Sequence, residues 1–540
     1  MCSSEVDCAI EEFSGKRAKD LVRLVEKSSS SKFKDMEKER MCMKTSGLHP
    51  SNPVKAQQEK QSCEGRFQGR KLLCAVRKAR PLPPSRGLAK NFKVNFNTSD
   101  EGAFGRPSPF HVLSTYSNLK MTVLPAPEKG LHYIFRYYAV PVLMMGGNII
   151  ITFYCLWYGK GPDRGPFDPC VMMGNAFAWK FVGILFIWCF LWMYIGGKVY
   201  GPVTDYGQIP EYTGGGFRFY FITTASYILL HIPYPKLSWW FYENFAQIVA
   251  ASHWCGLTIA VLLFIKGKVA RDYDEKIAPY PLIHEFYRGI ELHPHIFGFD
   301  AKQYTVARVG MTYWSIVPLS CYFVSLDKWG YNAGFTVNFI LQTIYTVKFY
   351  FWEWEYMTQT LDNTLDRAGY YLCGASPISI PGLCLFSTFF MVAHPPLVSN
   401  FTAWLLFVMG IVFIILEYQV DHQKTEFRRT DGKCLVWGKP PKYIEAEYET
   451  SEGKKKSKLL ISGYWGKVRH INYTFDITIG LCTNMVGYHY GIWPFLYNII
   501  MGSLHIHRLT RDEYKCMMKY GHAYEKYCRI VPYRLIPGVV

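Results

Sequence analysis

SKLLISGYWGKVRHINYTFD (residues 457–476) and HRLTRDEYKCMMKYGHAYEKYCRIVPYRLIPG (residues 507–538) are two aromatic, cationic clusters that bracket one apolar stretch. Should that stretch cross a bilayer twice, both clusters return to the same face and can meet. Cations and rings gathered where membrane helices end suit a site that holds a polyanion in water and presents its reactive end to something dissolved in lipid.

The upstream sequence fits this arrangement. Apolar runs of about 18 to 25 residues, the length a helix needs to cross a hydrocarbon core, recur through a chain that is 49% hydrophobic and 17% aromatic. They fall near 132–157, 176–197, 217–233, 244–265, 309–326, 333–352, 377–393, 400–418, 474–488 and 490–506. The pattern predicts an all-α, polytopic membrane protein of about ten transmembrane helices. The net charge of +18 is uneven. With the N-terminal segment in the cytosol, connections 266–308 and 418–470 are cytosolic and rich in Lys and Arg, while those on the other side are short or weakly basic. The positive-inside rule then puts both termini in the cytosol, as an even number of crossings requires. Residues 1–30 hold no apolar core, so no cleaved leader is expected and the first span would act as an uncleaved anchor.

Residues 1–130 read as a polar, basic N-terminal tail, largely disordered. Stretches such as KFKDMEKERMCMK and GRKLLCAVRKARPLPPSRG are too poor in large apolar side chains to bury a core, and the proline-rich pieces 81–84 and 107–109 read as extended linker. Without Arg-Ser repeats or a folded module, the tail is expected beside anionic lipid heads and not on nucleic acid. Sixteen cysteines show no paired metal-type spacing, so neither a disulfide framework nor a metal site is expected. Residues 131–540 would form the transmembrane domain, with its cofactor site in 419–540.

The long motifs DHQKTEFRRTDGKCLVWGKPPKYIEAEY (residues 421–448), SKLLISGYWG, RHINYTFD and the ending LTRDEYKCMMKYG with YCRIVPYRLIPG resemble those of the sterol reductase family. That family includes Δ14-sterol reductase, the reductase domain of lamin B receptor and 7-dehydrocholesterol reductase, and the resemblance is strongest to the last branch. It is clear over 289–540, weaker over 201–289 and absent from the first 130 residues. It implies NADPH-dependent reduction of a sterol ring double bond, first of all the Δ7 bond of 7-dehydrocholesterol-type sterols. It also implies a place in the endoplasmic-reticulum membrane, with bilayer lipid, a sterol substrate and other membrane enzymes of sterol biosynthesis as partners.

Such a reduction needs an acid that protonates one alkene carbon and a hydride that quenches the cation at its neighbour. The protein must therefore grip phosphates, exclude water and place a proton donor. Lys424 and Arg428, four apart on a helical extension of the eighth span, would project from one face toward phosphate; snorkelling cations are the structural alternative. No glycine-rich turn follows a strand, so a Rossmann domain is not expected. The resemblance continues the cofactor set through Leu460, Trp465, Asn472 and Tyr473, then Asp512, Cys516, Met517, Met518, Lys519, Tyr520 and Tyr527. Trp465 and the tyrosines would stack on the cofactor's rings. On a helix starting near Thr510, residues Asp512, Cys516, Lys519 and Tyr520 share one face, and Gly521 would end that helix. The resemblance puts Asp512 in the cofactor site and makes it the first candidate for the acid, provided burial raises its pKa, with Tyr473 the second.

Asp362 and Asp366 sit four apart, on one face if helical, and Asp476 lies just inside the ninth span. All three are candidate substrate-pocket acids, with interfacial pairing to basic loops as the alternative for the first two. The loop 201–216 reads as a connector, with closure over the cofactor by its acids and tyrosines as the alternative. The chain departs from the family pattern at His293 and His295 (Asn-Pro-Arg elsewhere), at Val309 (Pro), at Trp354 (Glu) and at Phe475 (Gly), where the ring would narrow a cavity. Two other functions stay open: an S-adenosylmethionine-dependent prenylcysteine methyltransferase, which shares the basic-aromatic C terminus, and a non-catalytic sterol-binding scaffold. Δ14 reduction is the nearest alternative within the family.

Overall fold

The apolar runs fold as helices around one buried bundle. The structure, a computed structural model, describes residues 130–204, 207–273, 280–450 and 453–539, all within the compact unit Arg106–Val540. The predicted tail and its proline linkers lie outside the described residues. Ten long elements follow in order: α1 (Phe135–Gly159), α2 (Pro169–Trp192), α3 (Gly216–His231), α4 (Phe245–Val269), α5 (Gln303–Trp329), α6 (Ala333–Phe351), α7 (Tyr370–Ala393), α8 (Asn400–Arg429), α9 (Ile471–Asn484) and α10 (Leu496–Tyr520). A short α11 (His522–Ile530) closes the chain. Three antiparallel hairpins join them: β1–β2 (Lys198–Tyr200, Glu211–Thr213), β3–β4 (His295–Ile296, Phe299–Asp300) and β5–β6 (Tyr443–Thr450, Gly453–Leu460).

The chain is thus an all-α membrane protein, and each predicted crossing is helical. Six of the ten, α1, α2, α4, α5, α7 and α8, are long and apolar enough to cross a bilayer by themselves. The other four differ for identifiable reasons. α3 has only 16 residues, α6 carries Asn338, Gln342 and Lys348, and α9 gives way after 14 residues to a tighter turn at Met485–Tyr490. α10 is long, but its second half is charged. α7 starts at Tyr370, earlier than expected, because widened π-helical turns accommodate Pro377 and Pro381.

Burial separates inner from outer helices. The apolar windows of α5 and α7 are 78% buried, whereas those of α2 and α8 are 17% and 22% buried, so α2 and α8 present most of their surface to lipid. α8 is capped by the Ser399 hydroxyl, which accepts from the Thr402 amide at 3.1 Å. Its 30 residues extend about 45 Å, longer than the roughly 30 Å hydrocarbon core. Its last turns therefore stand clear of the bilayer, and α9, the turn at Gly463–Gly466 and β6 pack against the helix. α9 and α10 approach closely at Gly480, where a Cβ would lie 2.5 Å from the Tyr497 ring.

Asp205 and Tyr206 of loop 201–216 lie outside the described residues, and the rest of the loop is held by the β1–β2 hairpin. Tyr212 is buried and donates to the Met357 carbonyl at 3.0 Å, and Glu211 pairs with Lys198. Both are thereby engaged away from the C-terminal clusters.

Candidate active site

The last turns of α8 set the floor of the site. Trp465, 5% exposed, donates its indole N–H to the Val420 carbonyl at 3.0 Å. The Lys424 ammonium lies 4.0 Å from the centroid of that ring, a cation–π contact, and among the described residues no carboxylate stands within ion-pair distance of it. Arg428, one turn on, is exposed, and its charge reaches Lys424 and Cys516. Tyr527 of α11 donates to the Trp465 carbonyl at 3.2 Å, and burial pushes its phenol up. Trp465 and Tyr527 are thus braces beneath Lys424, not free faces for a ligand to stack on.

The first turn of α9 supplies the wall. Asn472 donates to Asp421 Oδ1 at 3.3 Å and leaves its own Oδ1 buried without a partner. Tyr473 is stacked between two imidazoles, His470 at 5.3 Å and His505 at 4.6 Å between centroids. Burial holds His470 well below its ordinary value, at about 4, and its Nε2 is unpartnered. From α10, the Asp512 carboxylate lies within electrostatic reach of Lys424, His470 and Tyr473. Cys516 faces the same cations, with its thiol raised by burial to about 12.

The remaining predicted residues lie elsewhere. The helix bearing Asp512 is continuous from Leu496, not a new one from Thr510, although Gly521, at φ +50°, does end it. The expected stripe splits in two. Asp512 and Cys516 face Lys424, while Lys519 lies 4.3 Å over the Tyr448 ring and Tyr520 meets that ring edge-on at 5.7 Å. Met517 packs with Tyr524, Tyr527 and Ile444, Met518 is half-buried, and Leu460 packs with Trp465, Val420 and Phe427.

Asp362 and Asp366 do not share a helix face, because the helix Leu361–Thr364 ends before Asp366. Both are 3% exposed and both pair with α10. Arg508 Nη2 lies 2.6 and 2.7 Å from the two Asp362 oxygens, and Arg511 Nη2 lies 3.0 Å from Asp366 Oδ2. The buried Lys302 ammonium donates to the carbonyls of both aspartates, each at 3.0 Å. Asp476 is buried, 2.7 Å from His505 Nε2, and accepts from Tyr345 at 3.2 Å.

The departures from the family pattern are accommodated locally. Beside the exposed Trp354, Glu353 turns inward to pair with the buried Arg308. His293 Nδ1 lies 3.2 Å from Asp300, burial holding its ring at about 4, and the His295 amide donates to Asp272. Val309 is buried in the first turns of α5. The Phe475 ring packs 5.8 Å from Phe413 of α8, so its bulk fills the α8–α9 seam instead of narrowing a cavity.

Sequence reading missed Arg508, Arg511 and His505, although HIHRLTR carries two arginines three apart, one helical turn, opposite two aspartates four apart. It also missed that Arg469 pairs with Glu513 at 2.9 Å and donates to the Val531 carbonyl, which pins the start of α9 to the C-terminal segment.

Comparison with known proteins follows the same territory. Residues 160–540 match the family described as "Ergosterol biosynthesis ERG4/ERG24 family", farther upstream than the motifs alone indicate. A 7-dehydrocholesterol reductase of Arabidopsis thaliana is 35% identical over 355 residues, 64% of this chain and 80% of the relative. One of Xenopus laevis is 31% identical over 67% of this chain and 81% of the relative. A Delta(14)-sterol reductase of Dictyostelium discoideum is 28% identical over 64% and 74%.

Proposed function

The chain belongs to the ergosterol biosynthesis ERG4/ERG24 family of sterol reductases, and on that premise we propose that it reduces the Δ7 double bond of 7-dehydrocholesterol-type sterols with NADPH. The observation that carries the cofactor assignment is a set of polar groups at one place without hydrogen-bond or ion-pair partners among the described residues. These are the Lys424 ammonium, the Arg428 guanidinium, the Asn472 carbonyl oxygen and the His470 Nε2. Three of these, Lys424, Asn472 and His470, are buried or half-buried, where unpaired polar groups cost stability, Arg428 stands exposed beside them, and two cations with amide and imidazole acceptors fit a dinucleotide with phosphates and an amide. The relatives named 7-dehydrocholesterol reductase, at 31% and 35% identity, favour Δ7 over Δ14.

In this reading Lys424 and Arg428 hold phosphate, Lys424 being aimed by Trp465, Tyr527 and Leu460 behind it. Asn472 and Asp512 face the rest of the dinucleotide, with Cys516 as an inert, half-buried contact, and Met517, Lys519 and Tyr520, with Met518 among them, tie α10 to the β5–β6 hairpin through Ile444 and Tyr448. NADPH, when bound, supplies the hydride. Tyr473 or Asp512 supplies the proton, and Asp362 and Asp366 hold α10 in place through Arg508 and Arg511. The domain is residues 131–540, in the endoplasmic-reticulum membrane with both termini cytosolic.

Purified protein with NADPH, offered Δ7, Δ14 and Δ24(28) sterols in parallel, should yield by mass spectrometry the Δ7-reduced product. A Δ14-reduced product would correct the bond, and no reduction of any sterol would remove the activity. Arg428→Ala should lose NADPH binding, and unaltered turnover in that variant would refute the phosphate assignment.

A further inference from the structure

We infer that Arg136, Arg288 and His284 form a binding site for the phosphate of an anionic phospholipid, at the boundary where α1 enters the bilayer. The apolar window of α1 is only 28% buried, so most of its surface meets lipid. Arg136 is the second residue of that helix, and the exposed Ile134 and Phe135 stand just before it. Tyr133, Tyr137, Tyr138 and Tyr280 make a connected cluster of rings at the same place, the kind of aromatic belt that sits at headgroup level.

The other half of the site comes from the short helix Leu282–Arg288, which packs against the first turns of α1. His284 and Arg288 are four apart on it and share a face. His284 is 8% exposed, and neither of its ring nitrogens has a partner. The ring is held edge-on to Tyr137 at 4.8 Å and tilted against Tyr280 at 5.1 Å between centroids. The Arg136 guanidinium lies 5.6 Å from the centroid of Tyr137, and the charges of both arginines reach the imidazole. Neither arginine makes a hydrogen bond or an ion pair among the described residues, and Glu285, the acid of the same helix, is taken by Lys268. Burial first, then the two guanidinium charges, hold His284 at about 4. The ring is therefore neutral and offers one N–H donor and one acceptor.

An imidazole buried with both nitrogens unmet costs stability, and two cations beside it without a carboxylate repel each other. A phosphate removes both costs: the guanidinium forks match its oxygens, and the imidazole N–H donates to a third. Arginines that only snorkel at a helix end need no buried imidazole between them. The location selects a lipid as the source, because acyl chains attached to a phosphate held here run down the lipid-facing side of α1. The mount is rigid before any ligand arrives. Phe286 and Tyr287 pack against Tyr370 and Tyr371 of α7. Gly289 closes on the same segment so tightly that a Cβ would lie 2.5 Å from the Gly369 nitrogen.

The test titrates phosphatidylserine, phosphatidylcholine and inorganic phosphate against purified full-length protein in detergent, and reads bound ligand by native mass spectrometry. Wild type should retain phosphatidylserine in preference to phosphatidylcholine. Arg136→Gln and Arg288→Gln should each weaken that retention about fivefold. His284→Phe keeps a ring and removes both nitrogens, so it should weaken retention while the thermal midpoint of the lipid-free protein holds or rises. The preference should persist at raised salt, which screens a diffuse field more than a direct contact. The arginine variants break no hydrogen bond or ion pair, so they carry the test if His284→Phe does not fold. Unchanged retention in the double variant Arg136→Gln with Arg288→Gln, or equal retention of phosphatidylcholine by the wild type, overturns the site. Losses in the arginine variants with none in a folded His284→Phe overturn it as well, leaving a diffuse cationic patch. Inorganic phosphate bound as tightly as phosphatidylserine would make the ligand a soluble anion and overturn the lipid assignment.

Discussion

α10 holds charge in two opposite ways within a few turns. Arg508 and Arg511 are each locked to a buried aspartate, whereas the Asp512 and Cys516 side, one residue round the helix, faces Lys424 and Arg428 with no ion pair formed. The two regions are built from the same residue types, so composition does not separate them. Pairing with carboxylate does: a cation locked to a carboxylate of the protein is architecture, even where, as in Arg508 and Arg511, the Nε stays buried without a partner, and one with no carboxylate partner is available to a ligand.

The paired side should fail first as structure. Removing one partner from a buried pair strands the other charge and costs about 3–5 kcal/mol. Arg508→Ala should therefore lower the thermal midpoint of the solubilised protein more than any other change named below. The exchange Asp362→Arg with Arg508→Asp should recover part of the loss. Equal stability of Arg508→Ala and wild type would show that the clamp is incidental. The unpaired side should behave in the converse manner. Lys424→Met should weaken NADPH about 10- to 100-fold, about 1.4–2.7 kcal/mol, and leave the midpoint unchanged or raised, because a half-buried charge without a carboxylate partner has been removed. A clear drop in stability would mean that Lys424 belongs with the arginines.

The same contrast explains what the chain revealed as a sequence. Apolar runs located all ten helices, six of them long and apolar enough to cross hydrocarbon by themselves. Lys424, Asn472, Tyr473 and Asp512 could be grouped because family motifs carried them. Composition gave no hint that Trp465 and Tyr527 face inward as braces, because an aromatic ring has the same letter whether it stacks on a ligand or on a lysine. The Asp362–Arg508 and Asp366–Arg511 pairs join residues 146 and 145 positions apart, a distance over which one sequence holds no pairing signal. The end of the helix before Asp366 was equally hidden, since a spacing of four is informative only if the helix persists.

Protons probe the comparison from another side. Burial holds His470 and His293 at about 4, below the 6.5 of an unburied ring. Each is neutral when folded, and the unfolded chain takes up the proton more readily. Their contribution is complete above about pH 6.5 and is lost as pH falls toward 4, on the order of 1–2 kcal/mol per ring after allowance for solvent relaxation. The thermal midpoint should fall through that window, and His470→Gln should flatten the fall. A midpoint indifferent to pH between 6.5 and 4 would contradict neutral burial of both rings.

The smallest expected effect is the sharpest. Arg428 and Arg429 are adjacent on α8, both exposed, and differ chiefly in partners: Arg429 is held by Glu426 through two hydrogen bonds of 2.7 and 2.8 Å, and Arg428 has no ion pair. If net positive charge near the end of α8 were all that attracted the dinucleotide, either arginine would serve, and losing either would weaken binding alike. If an unmet donor is what matters, Arg428→Ala should abolish tight NADPH binding, and Arg429→Ala should change it by no more than roughly twofold, since an exposed i,i+3 pair contributes little. Titrating NADPH against both variants at low and high salt separates the cases, because screening would erase a long-range charge effect but not a direct contact. Equal losses at both positions, falling together with salt, would reduce the phosphate grip to a diffuse cationic field and remove the distinction between the two faces of the site.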